Sequence, residues 1–152
     1  MKKLITTLWF SICIISVFGQ KVNEQLYKAI VKNDSEKVAK LLKQNADPNY
    51  IISSGPWMKV NMLITAINND NIEIVKLLIS TKADVNWKDG FNTTALMYAA
   101  AKGNKDIVIL LLDNGADINA TDGQGNTVLT AAKESKNQDV IKLIEDRRQS
   151  RK

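Results

Sequence analysis

The chain has 152 residues, which is enough for one small domain, and it contains a single cysteine and no histidine. Its formal net charge is +5, but six of the 21 lysines and arginines lie in the first three or the last six positions, which leaves 15 against 16 acidic residues. A nucleic-acid-binding protein would instead carry a basic patch on its folded surface. The composition therefore argues against nucleic acid as a partner and against histidine or cysteine chemistry.

The start of the chain has the pattern of a secretory signal peptide. Lys2 and Lys3 precede the mostly apolar residues 8–18, and the small residue Gly19 offers a cleavage point before Gln20. This apolar run is shorter than the roughly 20 residues of a membrane-spanning helix. We expect a cleavable signal, with retention as an N-terminal anchor as the alternative interpretation.

Cleavage would remove Cys13, the only cysteine of the chain. Its place inside the apolar run, rather than at the end, argues against a lipoprotein anchor. The mature protein would then have no thiol and no disulfide, so packing alone must hold the fold. We expect it to be periplasmic or secreted and to have no membrane contact.

The rest of the chain repeats itself, mostly at a spacing of 33 residues. A first four-residue block begins at Leu26, Leu63, Leu96 and Leu129. A second, largely apolar block begins at Glu36, Glu73, Asp106 and Asp139. An Asp-x-Asn block completes the first three copies and begins at Asp47, Asp84 and Asp117.

Each copy is predicted to contain two short helices. The second block has the wide apolar stripe of a helix that is buried on one side. Residues that favour helix N-caps precede both blocks. The caps predicted for the first helices are Asn61, Thr94 and Thr127, and those for the second helices are Asp34, Asn71, Asn104 and Asn137.

Turn signals separate the copies. Asp89-Gly90 and Asp122-Gly123 predict tight turns at the tips of hairpin fingers. The first finger is longer, because Asn49 and Leu63 are 14 positions apart whereas the corresponding residues of the next two fingers are 10 apart. Insertions in repeat proteins commonly lie on the binding face, so this finger is the strongest candidate site.

The pattern Thr94-x-Leu96-x-x-Ala99-Ala100, followed by Gly103 and by residues 115–119, resembles the ankyrin repeat. The histidine that the family usually has after its Thr-Pro-Leu run is absent, and the bridge it makes to neighbouring turns is lost. The glycine between the helices survives only as Gly103. The resemblance implies an all-α, ankyrin-type helix-turn-helix solenoid with short β-hairpin fingers.

This organisation gives three parts. They are a signal peptide (1–19), a repeat domain (20–146) with copies at about 24–50, 57–87, 90–120 and 123–146, and a basic tail (147–152). One copy cannot bury its own apolar face, so the copies must stack, and the outermost two should act as caps. We expect a monomer.

No constellation of catalytic residues is present, and most acidic residues recur with the repeat, which indicates structural roles. Asp117, Asn119 and Asp122 loosely suggest a calcium loop, but the ligand spacing is wrong and no bidentate glutamate follows. We therefore predict no enzyme activity, no cofactor and no metal site.

The resemblance implies that a partner protein docks on the concave side, which the fingers and the first helices form. The predicted partner-binding residues are Tyr50, Ile52, Trp57, Met58, Lys88, Phe91, Lys102, Gln124 and Asn126. Trp57, Met58 and Phe91 either anchor the partner or pack between fingers, and both interpretations stay open. Trp87 and Tyr98 are expected in the core.

The predicted function is a non-catalytic scaffold for an unknown protein partner, exported from a bacterial cell. The bacterial origin is inferred only from the short Lys-Lys style of the signal. The alternatives are an accessory or stabilising factor for a periplasmic enzyme, and a secreted effector or immunity protein.

Overall fold

The computed structural model describes residues 19–53, 55 and 58–150. Apart from Gly19, the predicted signal peptide lies outside the described residues. The same holds for Trp57 and for the last two residues of the predicted tail.

Helices dominate the described residues, and they follow one another as helix-turn-helix pairs joined by hairpin fingers. They are α1 (19–31), α2 (Ser35–Lys43), α3 (Met62–Asn68), α4 (Ile72–Ser80), α5 (Ala95–Lys102), α6 (Lys105–Asp113), α7 (Val128–Glu134) and α8 (Gln138–Gln149). Strands β1 (Ile51–Ser53) and β2 (Lys59–Asn61) pair antiparallel in the first finger. The architecture is therefore the all-α helical solenoid with a small hairpin sheet that the sequence predicts.

The helices begin where the sequence predicts. Each predicted cap residue accepts a hydrogen bond through its side chain from a backbone N–H in the first turn of its helix. These caps are Asp34, Asn61, Asn71, Thr94, Asn104, Thr127 and Asn137. Such a bond satisfies one of the four amides that a helix N-terminus leaves without a partner.

The turn between the two helices of each pair contains one residue with a left-handed backbone. Gly103 adopts a φ of 70°, and the equivalent Asn33, Asp70 and Lys136 adopt φ values of 55°, 54° and 56°. Asn and Asp tolerate this conformation, whereas Lys136 is strained there. At Gly103 an added Cβ would lie 3.1 Å from the Cβ of Asn137, so a glycine also suits the close approach of the next copy.

The core runs through the stack between the two layers of helices. Leu96 and Leu111 belong to the first and the second repeated block, respectively, and neither has any exposed surface. Leu26 and Leu63 share the repeat position of Leu96 and are also fully buried. Leu129, at the same position of the last pair, is half-buried. This difference agrees with the role of the last pair as a cap.

Asparagines of the repeated Asp-x-Asn block join one copy to the next. The side chain of Asn49 accepts a hydrogen bond from the backbone N–H of Asp84 (2.7 Å) and donates to the carbonyl of Lys82 (3.0 Å). Asn86 repeats both bonds with Asp117 and Gly115. The recurrence of this block is therefore structural.

Helix α8 continues into the predicted basic tail. It ends at Gln149, and Arg147 donates through Nη2 to Oδ1 of Asp113 in the preceding pair at 3.0 Å. An arginine of the predicted basic tail is therefore paired with α6, at an exposed place where an ion pair contributes little to stability.

Candidate functional site

The helices form two layers, and the fingers project beside only one of them. Helices α3, α5 and α7 pack side by side in the first layer, and α2, α4, α6 and α8 form the second. We define finger 1 as residues 51–61, finger 2 as 88–94 and finger 3 as 121–127. The surface that the fingers share with α1, α3, α5 and α7 is called the finger face below.

A groove of about 230 Å³ marks the finger face where fingers 2 and 3 meet α5 and α7. Fingers and helices both contribute to its walls. The residues that line it are Thr93, Met97, Tyr98, Ala101, Asp122, Asn126, Ala131 and Glu134. On α1, Val31 occupies the repeat position that Ala101 and Glu134 occupy on α5 and α7. Lys28 likewise occupies the position of Tyr98. Val31 and Lys28 are therefore placed on the finger face as well.

The large exposed apolar residues of the described chain all lie on this face. Met58 and Phe91 are 65% and 60% exposed at the tips of fingers 1 and 2, and Val31 and Ile51 are 51% and 41% exposed. Among the described residues, the second layer of helices exposes none of comparable size. Clustered exposed apolar side chains are typical of protein interaction surfaces.

Finger 1 is a true β-hairpin. Ile51 pairs with Asn61, Ile52 with Val60 and Ser53 with Lys59. The other two fingers have a single bridge each, at the position equivalent to the pair of Ile51 and Asn61. The four inserted residues thus lengthen the finger and allow a short ladder to form.

Finger 2 closes through the carboxylate of Asp89, which is only 8% exposed. Its Oδ1 accepts from the backbone N–H of Phe91 (2.8 Å) and of Thr93 (2.9 Å), and its Oδ2 accepts from the hydroxyl of Tyr98 on α5 (2.7 Å). Burial, together with the hydrogen bond and the negative charge of Asp89, raises the pKa of Tyr98 to about 12. Tyr98, expected in the core, therefore fastens the finger to its helix.

Finger 3 has the same turn around Asp122. Oδ1 accepts from the backbone N–H of Gln124 (2.8 Å) and Asn126 (2.9 Å), and Oδ2 accepts from the side-chain amide of Asn126 (2.9 Å). These bonds, the Asn126 amide foremost, lower the pKa of Asp122. Position 131 holds alanine where α5 has Tyr98, so Asn126 supplies the donor instead.

Fingers 2 and 3 are also joined to each other. The backbone N–H of Gly123 donates to the carbonyl of Phe91 at 2.8 Å, and an added Cβ at Gly123 would lie 3.1 Å from that oxygen. The backbone of Phe91 is thus fixed while its ring stays largely exposed. For Phe91 and Met58 this exposure favours the anchor interpretation over packing between fingers.

The other predicted partner-binding residues differ in how available they are. Tyr50 and Ile52 are half-buried, Lys88 and Gln124 are exposed, and Trp57 lies outside the described residues. The amide of Asn126 is engaged by Asp122, and Lys102 pairs through Nζ with Oδ2 of Asp70 at 3.0 Å. Val31, Ile51 and Lys59 were not among the predicted binding residues, although Ile51 and Lys59 lie on the long first finger that the sequence identified as the strongest candidate site.

A sequence model of ankyrin repeats, three copies in length, matches residues 26–122 and again residues 62–149. The chain belongs to the ankyrin repeat family. A comparison with curated proteins found no match. Ankyrin repeats are in general protein–protein interaction modules and are typically non-catalytic, and the finger face of this ankyrin repeat protein has the exposed apolar character that such a role needs.

Two further observations concern the described part of this ankyrin repeat protein. It holds no group of three or more aspartate, glutamate, histidine or cysteine side chains placed to bind a metal ion. None of its helices combines the length and the apolar character that crossing a bilayer requires.

Proposed function

We propose that this ankyrin repeat protein is a non-catalytic scaffold that is exported from a bacterial cell and binds a partner protein through the finger face. The observation that carries the proposal is the location of the large exposed apolar residues, which all belong to fingers 1 and 2 and to α1 in the described chain. Covering side chains of this size with a partner is favourable because it removes apolar surface from water.

The two anchors differ in how they are held. Phe91 sits on a turn that Asp89 and the backbone of Gly123 fix, so binding does not have to order its backbone. Met58 precedes β2 and has a flexible side chain that adapts to irregular surfaces. A rigid aromatic anchor beside an adaptable one suits a protein surface.

Export is supported by the sequence of the first 19 residues and by the exposure of the residues around the predicted cleavage point. Gly19, Gln20 and Lys21 are exposed, and the first buried residue of the described chain is Leu26. Cleavage before Gln20 would therefore leave the core intact. Intact-mass analysis of the exported protein tests this, and an N-terminus at Met1 would contradict it.

Site-specific photo-crosslinking tests the binding face. A photoreactive phenylalanine analogue at position 58 or 91 is expected to capture a partner in the producing cell. The same analogue at exposed Lys76 on α4 or Lys142 on α8 is the matched control and is expected to capture none. Capture from the controls alone would show that the second layer of helices is the interface. The identity of the partner then separates a scaffold from an enzyme accessory factor or an effector.

A further inference from the structure

The finger face carries an unequal distribution of charge. Its first half presents Lys28 on α1, Lys59 on finger 1 and Lys88 on finger 2, all of which are exposed. Exposed Glu24 lies one helical turn before Lys28 on α1, whereas no acidic residue occurs between Asp47 and Asp70. The acid of finger 2, Asp89, is buried and accepts three hydrogen bonds.

The second half of the face has the opposite sign. Asp122 on finger 3 is half-buried and Glu134 on α7 is exposed, and both line the groove there. The one lysine at the middle of the face, Lys102, is neutralised by Asp70. The ion pairs found within the described residues include none of the three lysines of the first half, although Nζ of Lys88 donates to the carbonyl of Thr121 on finger 3 at 3.5 Å.

The cationic half is also the apolar half. Lys59 directly follows Met58, and Lys88 lies on the same finger as Phe91. A partner that covers the apolar side chains therefore brings its own groups close to these two lysines. Complementary charge around an apolar centre steers association and selects the partner.

We propose that fingers 1 and 2 bind an acidic protein segment, one whose apolar side chains pack on Met58 and Phe91 and whose carboxylates face Lys59 and Lys88. The proposal rests on the proposed function and specifies its partner. Exposed apolar residues separate the lysines, and acids occupy the far half of the face, where a uniform polyanion would be repelled. These features favour a protein segment over nucleic acid or an anionic membrane, both of which prefer a continuous basic surface.

The test uses the purified full chain and two pools of synthetic fluorescent peptides. Both pools share a central pair of apolar residues; one has flanks of aspartate and glutamate and the other has flanks of lysine and arginine. Anisotropy is expected to show about tenfold tighter binding of the acidic pool, and this binding should weaken several-fold between about 50 and 300 mM salt.

Charge-reversal variants locate the effect. The double variant Lys59→Glu/Lys88→Glu is expected to lose about tenfold or more in affinity for the acidic pool. Lys76→Glu/Lys142→Glu on the second layer is the matched control and should bind as the original chain does. If circular dichroism shows that the first double variant is misfolded, two other measurements replace it. They are the affinity of Lys59→Gln for the acidic pool and the salt dependence of binding by the original chain.

The remaining outcomes overturn the inference in distinguishable ways. A preference for the basic pool that is still lost in Phe91→Ala contradicts the acidic partner and leaves the finger face as the interface. Binding that only the second-layer variants abolish contradicts the proposed function as well. Failure of both pools to bind, or tighter binding to phosphatidylglycerol vesicles or a single-stranded oligonucleotide, also contradicts an acidic protein segment.

Discussion

In fingers 2 and 3, five residues separate the two bridged positions, whereas in finger 1 nine do. The short fingers close around a carboxylate that accepts the backbone amides two and four positions later. At the equivalent position finger 1 has Ile52, which accepts no such bonds, and its closure depends on paired strands.

Equivalent segments of the repeat therefore have two different roles in this protein. In fingers 2 and 3, Asp89 and Asp122 satisfy backbone donors and so fix the tip without apolar contacts. In finger 1, the insertion lengthens the loop at little entropic cost and leaves Ile51 and Met58 exposed. The short fingers therefore stiffen the array, and the long finger offers additional surface for binding.

The largest loss of stability is expected from a substitution in the stacked helices that support both kinds of finger. Leu111→Ala should lower the free energy of unfolding by about 2–5 kcal/mol, because it removes buried methyl groups and leaves a cavity. Urea denaturation measures the change, with half-buried Leu110→Ala as the control for a smaller loss. A loss for Leu111→Ala under about 1 kcal/mol would contradict the burial of this residue.

The second-largest loss of stability is expected when the carboxylate of finger 2 is removed. Asp89→Ala is expected to cost about 2–3 kcal/mol, because two backbone amides and the Tyr98 hydroxyl lose their acceptor in a largely buried place. Asp122→Ala is the matched variant and should cost less, since water reaches the donors of finger 3. Ile52→Ala, at the same position of finger 1, should change stability least. Equal losses in all three fingers would remove the distinction between them.

The hydroxyl of Tyr98 allows a finer test of finger 2. Tyr98→Phe should lower stability by about 1 kcal/mol near neutral pH, because Oδ2 of Asp89 loses its donor. The folded pKa of about 12 lies above the ordinary tyrosine value of 10.0, so the protonated phenol is the form that the fold favours. Its contribution is complete below about pH 10 and is lost as pH rises through about 12.

Ultraviolet absorption of the phenolate follows this titration directly. In Asp89→Asn the neighbouring negative charge is gone, so Tyr98 should ionise at lower pH than in the original chain. An unchanged titration curve would show that the bond between Tyr98 and Asp89 does not govern the pKa.

The sequence predicted those features that depend on local chemistry or on the repeat itself. Helix caps such as Asn71 and Thr94 are recognisable because Asn and Thr side chains reach the amides of the following turn. The burial of Leu96 and Leu111 follows from the recurrence of apolar residues at two repeat positions, one in the first block and one in the second. The number of inserted residues in finger 1 follows from spacing alone.

Features that join distant segments could not be predicted in the same way. The bond between Tyr98 and Asp89 requires a finger to lie against its helix, and the pairing of Arg147 with Asp113 joins residues 34 positions apart. Strands β1 and β2 have three residues each, which is too short for a period-two pattern to be informative. Asn126 was predicted to bind a partner because of its place on finger 3. Its engagement with Asp122 depends on the conformation of the turn, which the sequence does not reveal.

The smallest effect on stability is expected when finger 1 is converted into a short finger. Deletion of residues 54–57 leaves five residues between the bridged positions, as in fingers 2 and 3. The shorter loop should gain only about 0.5 kcal/mol from reduced closure entropy. Adding Ile52→Asp supplies the missing acceptor and should stabilise the shortened finger by about a further 0.5–1 kcal/mol, whereas in the full-length finger the same substitution should not. Thermal and urea unfolding measure both changes. If Ile52→Asp stabilises the original and the shortened finger equally, the carboxylate acts independently of loop length, and the difference between the fingers has another cause.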